Sequence, residues 1–410
     1  MPAKADYLSF LEEFGLSESS VLPIADIQKL PPERIGMLLG GLASVKDSRE
    51  KAALELMAKT LAEGTNTNKL LEQLTENLRK DWSAIGLNVP NNAYSGVFPT
   101  SSFNAQCTYR KNGYLILLDT GCFELIEAAT YVLLSTEEQA VKTKTLASVL
   151  TKYLQQNALP DAGSMNLDGL SGPGSFQRLN TVYVSVTSAE EFVIAHEYGH
   201  IANKHVAPAK DGSAELQFRV NHLKLGRPRL QKNAEPVSKG SFFSRMFSRE
   251  PGKEAATTEM AQSKSLDVIA KEKHQEYEAD VWATHALVRR AQQKKESSAI
   301  PIACAGPVIS LGLALLIEEY FKDKGLASND THPPAASRLY MVDALYDILG
   351  VRDQAYVGRR FLELAGDCAK KMFNRQVEIP VLDRELNRSL EVALKNVGIR
   401  YDRPKWMDFQ

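Results

Sequence analysis

From Ala299 to Ile317 the chain reads AIPIACAGPVISLGLALLI, 19 residues without a charge. Such a stretch has to be removed from water, and two environments can do it. One is a bilayer, whose hydrocarbon core a helix of about 20 apolar residues spans. The other is the interior of a helical core. Pro301, Gly306, Pro307 and Gly312 make the run a poor autonomous helix, although membrane helices tolerate such residues. The whole chain is 44% hydrophobic and 24% charged over 410 residues, which is ordinary for a soluble globular protein. The expectation is a buried core helix.

The first 90 residues read as short helices: ADYLSFLEEFGL, PPERIGMLLGGLASV and NKLLEQLTENLRKDWSAIG each space apolar residues by three and four. Pro31 and Pro32 are placed to start the second of these. No chemical motif falls here, and a helical docking or cover region is expected. At about Asn91 the texture changes. NAQCTYRKNGYLILLDTG carries Asn112-Gly113 between two strand-like runs, a hairpin signal, and Tyr114 to Leu118 is apolar on both faces. Phe123 to Leu134 reads as a buried helix. Ser135 with Glu138 matches a capping box for a further helix reaching Gln156. Asp161 to Ser175 is a loop rich in Gly, Ser and Asp, and the β-branched run TVYVSV, Thr181 to Val186, is a strand. Ser188 with Glu191 is a second capping box, opening another helix.

Residues 207–270 lose periodicity and read as a mobile insertion. Within it SFFSRMFSR, Ser241 to Arg249, reads as an anchor of the loop on its own domain, or as a patch for a membrane or partner. Helical patterning resumes from Lys271 to about Lys324, and again over Arg338–Leu349, Tyr356–Phe373 and Asp383–Asn396. The fold class expected is α+β, mainly helical: an added N-terminal helical region over 1–90, then a larger domain with a small sheet over 91–410.

The net charge of −1 supplies no basic field, so nucleic acid is not an expected partner. Cys107, Cys122, Cys304 and Cys368 show no CxxC spacing and read as reduced thiols, not a disulfide frame or a zinc finger. Residues 1–20 carry acidic side chains and no apolar core of a secretory signal. A cytoplasmic location is the expectation.

Chemistry enters with EFVIAHEYGH, Glu191 to His200. On a helix, His196 and His200 lie one turn apart on the same face, so two imidazole nitrogens can reach one ion. Glu197 is offset by about 100° and can take a proton from water held beside that ion. A zinc ion there lowers the pKa of bound water toward neutrality. A catalytic zinc needs a third protein ligand and keeps a fourth position open. In the three-histidine form HExxHxxGxxH, Asn203 stands at the glycine and Val206 at the histidine. His205 comes one position early, about 140° from His200 on a continuing helix, and reads as a capping or surface histidine.

The alternative is a glutamate from a later helix. KEKHQEYEADVWATHAL contains Glu276 and Asp280 on one helix face. Glu276 can then coordinate zinc while Asp280 accepts a hydrogen bond from a ligand imidazole and sets its tautomer. Small Ala279 lets the helix approach its neighbour. Glu278, about 200° from Glu276, is a weaker ligand candidate, and His274 and His285 do not fit the paired carboxylate geometry and read as ordinary helix-surface histidines. In SNDTHPPAASR, Pro333 biases His332 to an extended conformation. A loop histidine held there suits hydrogen bonding to a developing oxyanion, and Arg338 falls in the first turn of the next helix.

HEYGH, EYEAD and THPPAASR in this order resemble the gluzincin metallopeptidases, most closely the branch of the CAAX prenyl proteases and their bacterial membrane-protease relatives. EFVIAHEYGHIANKH is also similar to the Lit-type bacterial peptidases. The resemblance implies a zincin-like domain in which His196, His200 and Glu276 bind zinc, Glu197 is the general base and Asp280 backs a ligand. It also implies that His332 and Arg338 contact the substrate and the tetrahedral intermediate. The chain departs from the prenyl proteases in lacking their multiple long apolar segments. Its one uncharged run lies between Glu276 and His332, and a single membrane crossing there would put the two on opposite sides. The function expected is a zinc-dependent endopeptidase acting on an intracellular protein. The alternatives are a catalytically silent zinc-bound protein and a membrane-peripheral interaction protein.

Overall fold

In a computed structural model of the chain, residues 2–13, 67–87, 89–98, 103–156, 176–206, 258–294, 298–324, 332–376 and 384–401 are described. They form α1 (Pro2–Glu13), α2 (Thr67–Ala84), β1 (Ala93–Phe98), β2 (Ala105–Arg110), β3 (Gly113–Asp119) and α3 (Thr120–Leu134). There follow α4 (Gln139–Gln156), α5 (Phe176–Ala202), α6 (Thr258–Lys294), α7 (Ala299–Asp323) and α8 (Ala335–Ile348). A 3-10 turn at Arg352–Gln354, α9 (Tyr356–Phe373) and α10 (Arg384–Val397) complete them. The fold is α+β and mainly helical, with one three-stranded sheet among the described residues. The helix read at PPERIGMLLGGLASV, the loop at 161–175 and the SFFSRMFSR patch lie outside the described residues. Helix α6 begins at Thr258, so the end of the segment read as an insertion is helical.

The uncharged run forms α7, which packs against α5, α6, α8 and α9. Among the described residues it alone is long and apolar enough to cross a membrane, and its neighbours bury 78% of its most apolar window. Two serine hydroxyls tie it to α5. Ser188 Oγ donates to the Ile302 carbonyl at 2.9 Å, and Ser310 Oγ to the Ala189 carbonyl at 3.2 Å. Pro301 sits in the first turn, where the backbone needs no N–H donor.

Two local readings give way to this packing. Thr181–Val186 is helix, not strand, and Ser188 lies within α5 instead of opening it. Beneath the β-branched composition runs a second pattern: Val182, Ser185, Ala189, Phe192 and His196 are all buried, at spacings of three and four. Burial along that stripe outweighs a local β preference worth a few tenths to about 1 kcal/mol per residue. Ser135 ends α3, its Oγ donating to the Val132 carbonyl at 2.9 Å. Helix α4 starts four residues on, with the N–H groups of Val141 and Lys142 bonded to the Glu138 carbonyl, and ends at Gln156 as read from the sequence.

The sheet order is β1-β3-β2, with β3 parallel to β1 and antiparallel to β2. The hairpin reading holds, but its turn is Lys111-Asn112, since Gly113 already pairs with Arg110. Neither Asn112 nor Gly113 has a positive φ. Gly113 is needed for proximity: a Cβ there would lie 2.1 Å from the Asn92 carbonyl, which accepts the Tyr114 N–H at 2.8 Å. Strand β1 carries no alternation in its sequence because all six of its residues are buried.

Helices α1 and α2 share the hydrophobic core of the sheet and of α5 and α6. Trp82 of α2 stacks edge-on against Tyr198 and Trp282, at centroid distances of 5.4 and 5.3 Å. Helix α1 is docked by Asp6, which accepts the Asn112 backbone N–H at 2.7 Å and its side-chain amide at 2.6 Å. Asp6→Ala should lower the free energy of unfolding by about 2 kcal/mol through loss of two charge-assisted bonds. Urea denaturation monitored by circular dichroism measures this. An unchanged midpoint would show that Asp6 contributes nothing to docking.

Candidate metal centre

Helices α5 and α6 pack along one another, and Gly199 lies close against Ala279. A Cβ on Gly199 would stand 2.9 Å from Ala279 Cα and 3.0 Å from its carbonyl oxygen. His196 and Glu276 lie three residues before this contact on α5 and α6, and His200 and Asp280 one residue after it. Nε2 of His196 lies 3.1 Å from Nε2 of His200. Glu276 reaches both, with Oε2 3.3 Å from His196 and Oε1 3.4 Å from His200. Zinc bound tetrahedrally at about 2.0–2.2 Å separates its ligand atoms by roughly 3.3–3.5 Å, close to these three edges. Among the described residues this is the one group of three His, Cys, Asp or Glu side chains able to share an ion.

The donor set suits a cation at that point. Nδ1 of His196 is 2.9 Å from Asp280 Oδ1, a carboxylate that only accepts, so the ring proton belongs on Nδ1. Its Nε2 is then a bare lone pair facing a second imidazole and a carboxylate. Three acceptors converging in a buried place are satisfied by a proton or by a metal ion. The chain's own electrostatics agree. Burial opposes a charge on His196, but hydrogen bonds and charges from Asp280 and Glu276 overcome it and lift its pKa to about 10. Burial likewise pushes Glu276 up, yet His332, His200 and His196 hold it well below the usual carboxylate range.

Asp280 is fully buried, and Arg338 of α8 meets it with two bonds: Nε to Oδ2 at 2.7 Å and Nη2 to Oδ1 at 2.8 Å. Against the cost of burial, this guanidinium keeps Asp280 below its ordinary pKa. Arg338, expected at the substrate, is thus bidentate on Asp280, with Nη1 3.5 Å from Glu276 Oε2. His332 stands on the loop before α8, its side chain 42% exposed and its Nε2 3.5 Å from Glu276 Oε1. Glu197 is buried on α5 between the two histidines. His274 is exposed, and His285 accepts from Arg289 Nε at 3.3 Å. All four cysteines are free and buried.

His205 and Glu278, set aside on helical geometry, also belong here. Helix α5 does not continue past Ala202. Lys204 takes a left-handed φ of 59°, its N–H bonds to the Ile201 carbonyl, and the His205 N–H returns to the His200 carbonyl at 2.8 Å. This Schellman reversal folds His205 back over His200. Nδ1 of His205 lies 3.0 Å from Nδ1 of His200, and its Nε2 lies 2.7 Å from Glu278 Oε2. No glycine in the sequence marks this reversal, because the residue that takes the left-handed turn is a lysine.

The sequence pattern of peptidase family M48 matches residues 68–345, about two thirds of the chain. The chain belongs to peptidase family M48. The match begins in α2, upstream of the change in texture at Asn91, and takes in every side chain of the cluster. No curated protein and no solved structure matches the chain. Membership in M48 makes the protein a zinc-dependent metallopeptidase, a hydrolase whose substrate is a protein or peptide. The His-His-Glu donor set at these separations fits zinc.

In this M48 peptidase the Gly199–Ala279 approach sets the distance between the two helices. Gly199→Ala must push backbone from backbone, and we expect zinc affinity to fall at least about tenfold, as when a ligand loses its positioning. Competition with a chromophoric chelator measures it, and unchanged affinity would show that the approach does not matter.

Proposed function

We propose that the protein is an endopeptidase that cuts an intracellular protein in the cytoplasm, with His196, His200 and Glu276 holding zinc and Glu197 as general base. The observation that carries the reading is the convergence of two imidazole nitrogens and a carboxylate, with the buried Glu197 one residue from His196. Zinc, when bound, supplies Lewis acidity toward water and the scissile carbonyl. Glu197 takes a proton from the attacking water as the new C–O bond forms and the carbonyl electrons move onto oxygen. It then delivers that proton to the amine nitrogen as the C–N bond breaks. His332, partly exposed beside Glu276, donates to the oxyanion. We read Arg338 as a positioning residue: it holds Asp280, which orients His196. The four buried free thiols suit a reducing compartment.

Glu197→Gln should bind zinc in the same amount as wild type while cleavage falls by about 10²- to 10⁴-fold, the usual contribution of a positioned general base. Metal analysis together with N-terminal proteomics of expressing cells provides both readouts, and new internal N-termini in wild-type cells identify the substrate. Cleavage by the variant at the wild-type rate would sink the assignment, and cleavage confined to chain ends would sink endopeptidase action.

A further inference from the structure

We infer that His205, Glu278 and Asn396 form a second positioning arm, on His200, which fixes that ring's tautomer and aim as Asp280 and Arg338 fix those of His196. The inference rests on the reading of His200 as a metal ligand.

The contacts run in one line. His200 Nδ1 is 3.0 Å from His205 Nδ1, His205 Nε2 is 2.7 Å from Glu278 Oε2, and Asn396 Nδ2 donates to Glu278 Oε1 at 2.6 Å. Two facing ring nitrogens form a hydrogen bond only if one carries the proton and the other a lone pair. Nε2 of His200 points at His196 and Glu276, so with a metal ion on that nitrogen the ring proton must sit on Nδ1. His205 Nδ1 is then the acceptor. Its own proton sits on Nε2, where Glu278 receives it, and the amide of Asn396 occupies the other carboxylate oxygen. Every donor meets an acceptor in this arrangement. In the reverse arrangement His205 would donate to Nδ1 of His200, moving the His200 proton to Nε2 and blocking the metal.

The backbone supports this placement. His205 is carried over His200 by the left-handed turn at Lys204 and not by helical periodicity. Glu278 is on α6, two residues from Glu276, and points to the opposite flank of the site, where α10 supplies Asn396. The two arms thus approach from different helices: α8 behind His196, and α10 behind His200.

Nitrogen-15 NMR of the zinc-loaded wild-type protein, labelled at histidine, reads the tautomers directly. The expected spectrum has His200 protonated on Nδ1, and His205 protonated on Nε2 with a bare Nδ1. A His205 proton on Nδ1 would overturn the inference. Zinc affinity by chelator competition is the second readout. His205→Phe removes the acceptor and should weaken zinc about 10- to 100-fold, the range outer partners of a ligand contribute. His205→Gln, whose amide oxygen can accept from His200 while its nitrogen donates to Glu278, should return affinity to within about threefold of wild type. Equal loss in both variants would indicate a packing role and sink the relay, as would full affinity in His205→Phe. Should His205→Phe not fold, Glu278→Ala takes its place with a loss in the same direction. A wild-type protein that binds no zinc would overturn the reading of the site itself. Normal wild-type binding with an unaffected His205→Phe would overturn the second arm alone.

Discussion

Three potential metal-ligating atoms from two helices meet inside the protein, at separations that suit one shared ion. His196 Nε2, His200 Nε2 and a Glu276 carboxylate stand 3.1–3.4 Å apart, in a place where leaving a polar atom unpartnered costs several kcal/mol. Much of the fold follows from holding them there. The backbones of α5 and α6 come together at Gly199 and Ala279 because no side chain intervenes. Behind α5 lies α7, and beside both lie the tryptophan and tyrosine rings that join α2 to the pair. A buried carboxylate such as Asp280 is sustained by a largely buried guanidinium with two well-aimed bonds, the arrangement under which a buried ion pair is tolerated.

The uncharged helix illustrates how one feature serves two demands. It must leave water, and α5 must have an apolar surface to lie on. With α7 buried among α5, α6, α8 and α9, both are met in the same packing. Glu276 before it and His332 after it are returned to one point, 3.5 Å apart at their nearest atoms. Hydroxyls of Ser188 and Ser310 bond across the α5–α7 contact in opposite directions. They use carbonyls of the neighbouring helix, so these two hydroxyls are satisfied within an otherwise apolar contact.

Local signals were read well where the local chain decides and badly where the core does. The Asn112 hairpin, the buried helix over Phe123–Leu134 and the end of α4 at Gln156 depend on turn chemistry or on a continuous apolar face. Thr181–Val186 has the β-branched composition of a strand, but the buried stripe of small and apolar residues running through it makes it helix. Strand β1 escaped notice because burial on both faces erases alternation. His205 and Glu278 were discounted by extending α5 as an ideal helix, whereas the chain reverses at Lys204. A left-handed lysine is not legible in composition, since its φ is imposed by the hydrogen bonds of the reversal.

Spacing alone determined that His196, Glu197 and His200 lie on adjacent faces of one helix, and that Glu276 and Asp280 share a face of another, because 3.6 residues per turn is a property of the backbone and not of the fold. Order along the chain was enough to propose zinc chemistry. Tertiary structure alone decided that Arg338 grips Asp280, that His205 turns back onto His200, and that Glu278 and Asn396 close the line behind it. Those contacts join residues separated by as many as 118 positions. The Arg338 and Asn396 contacts depend on how α8 and α10 pack against α6, and His205 on the reversal at Lys204; helical periodicity encodes neither.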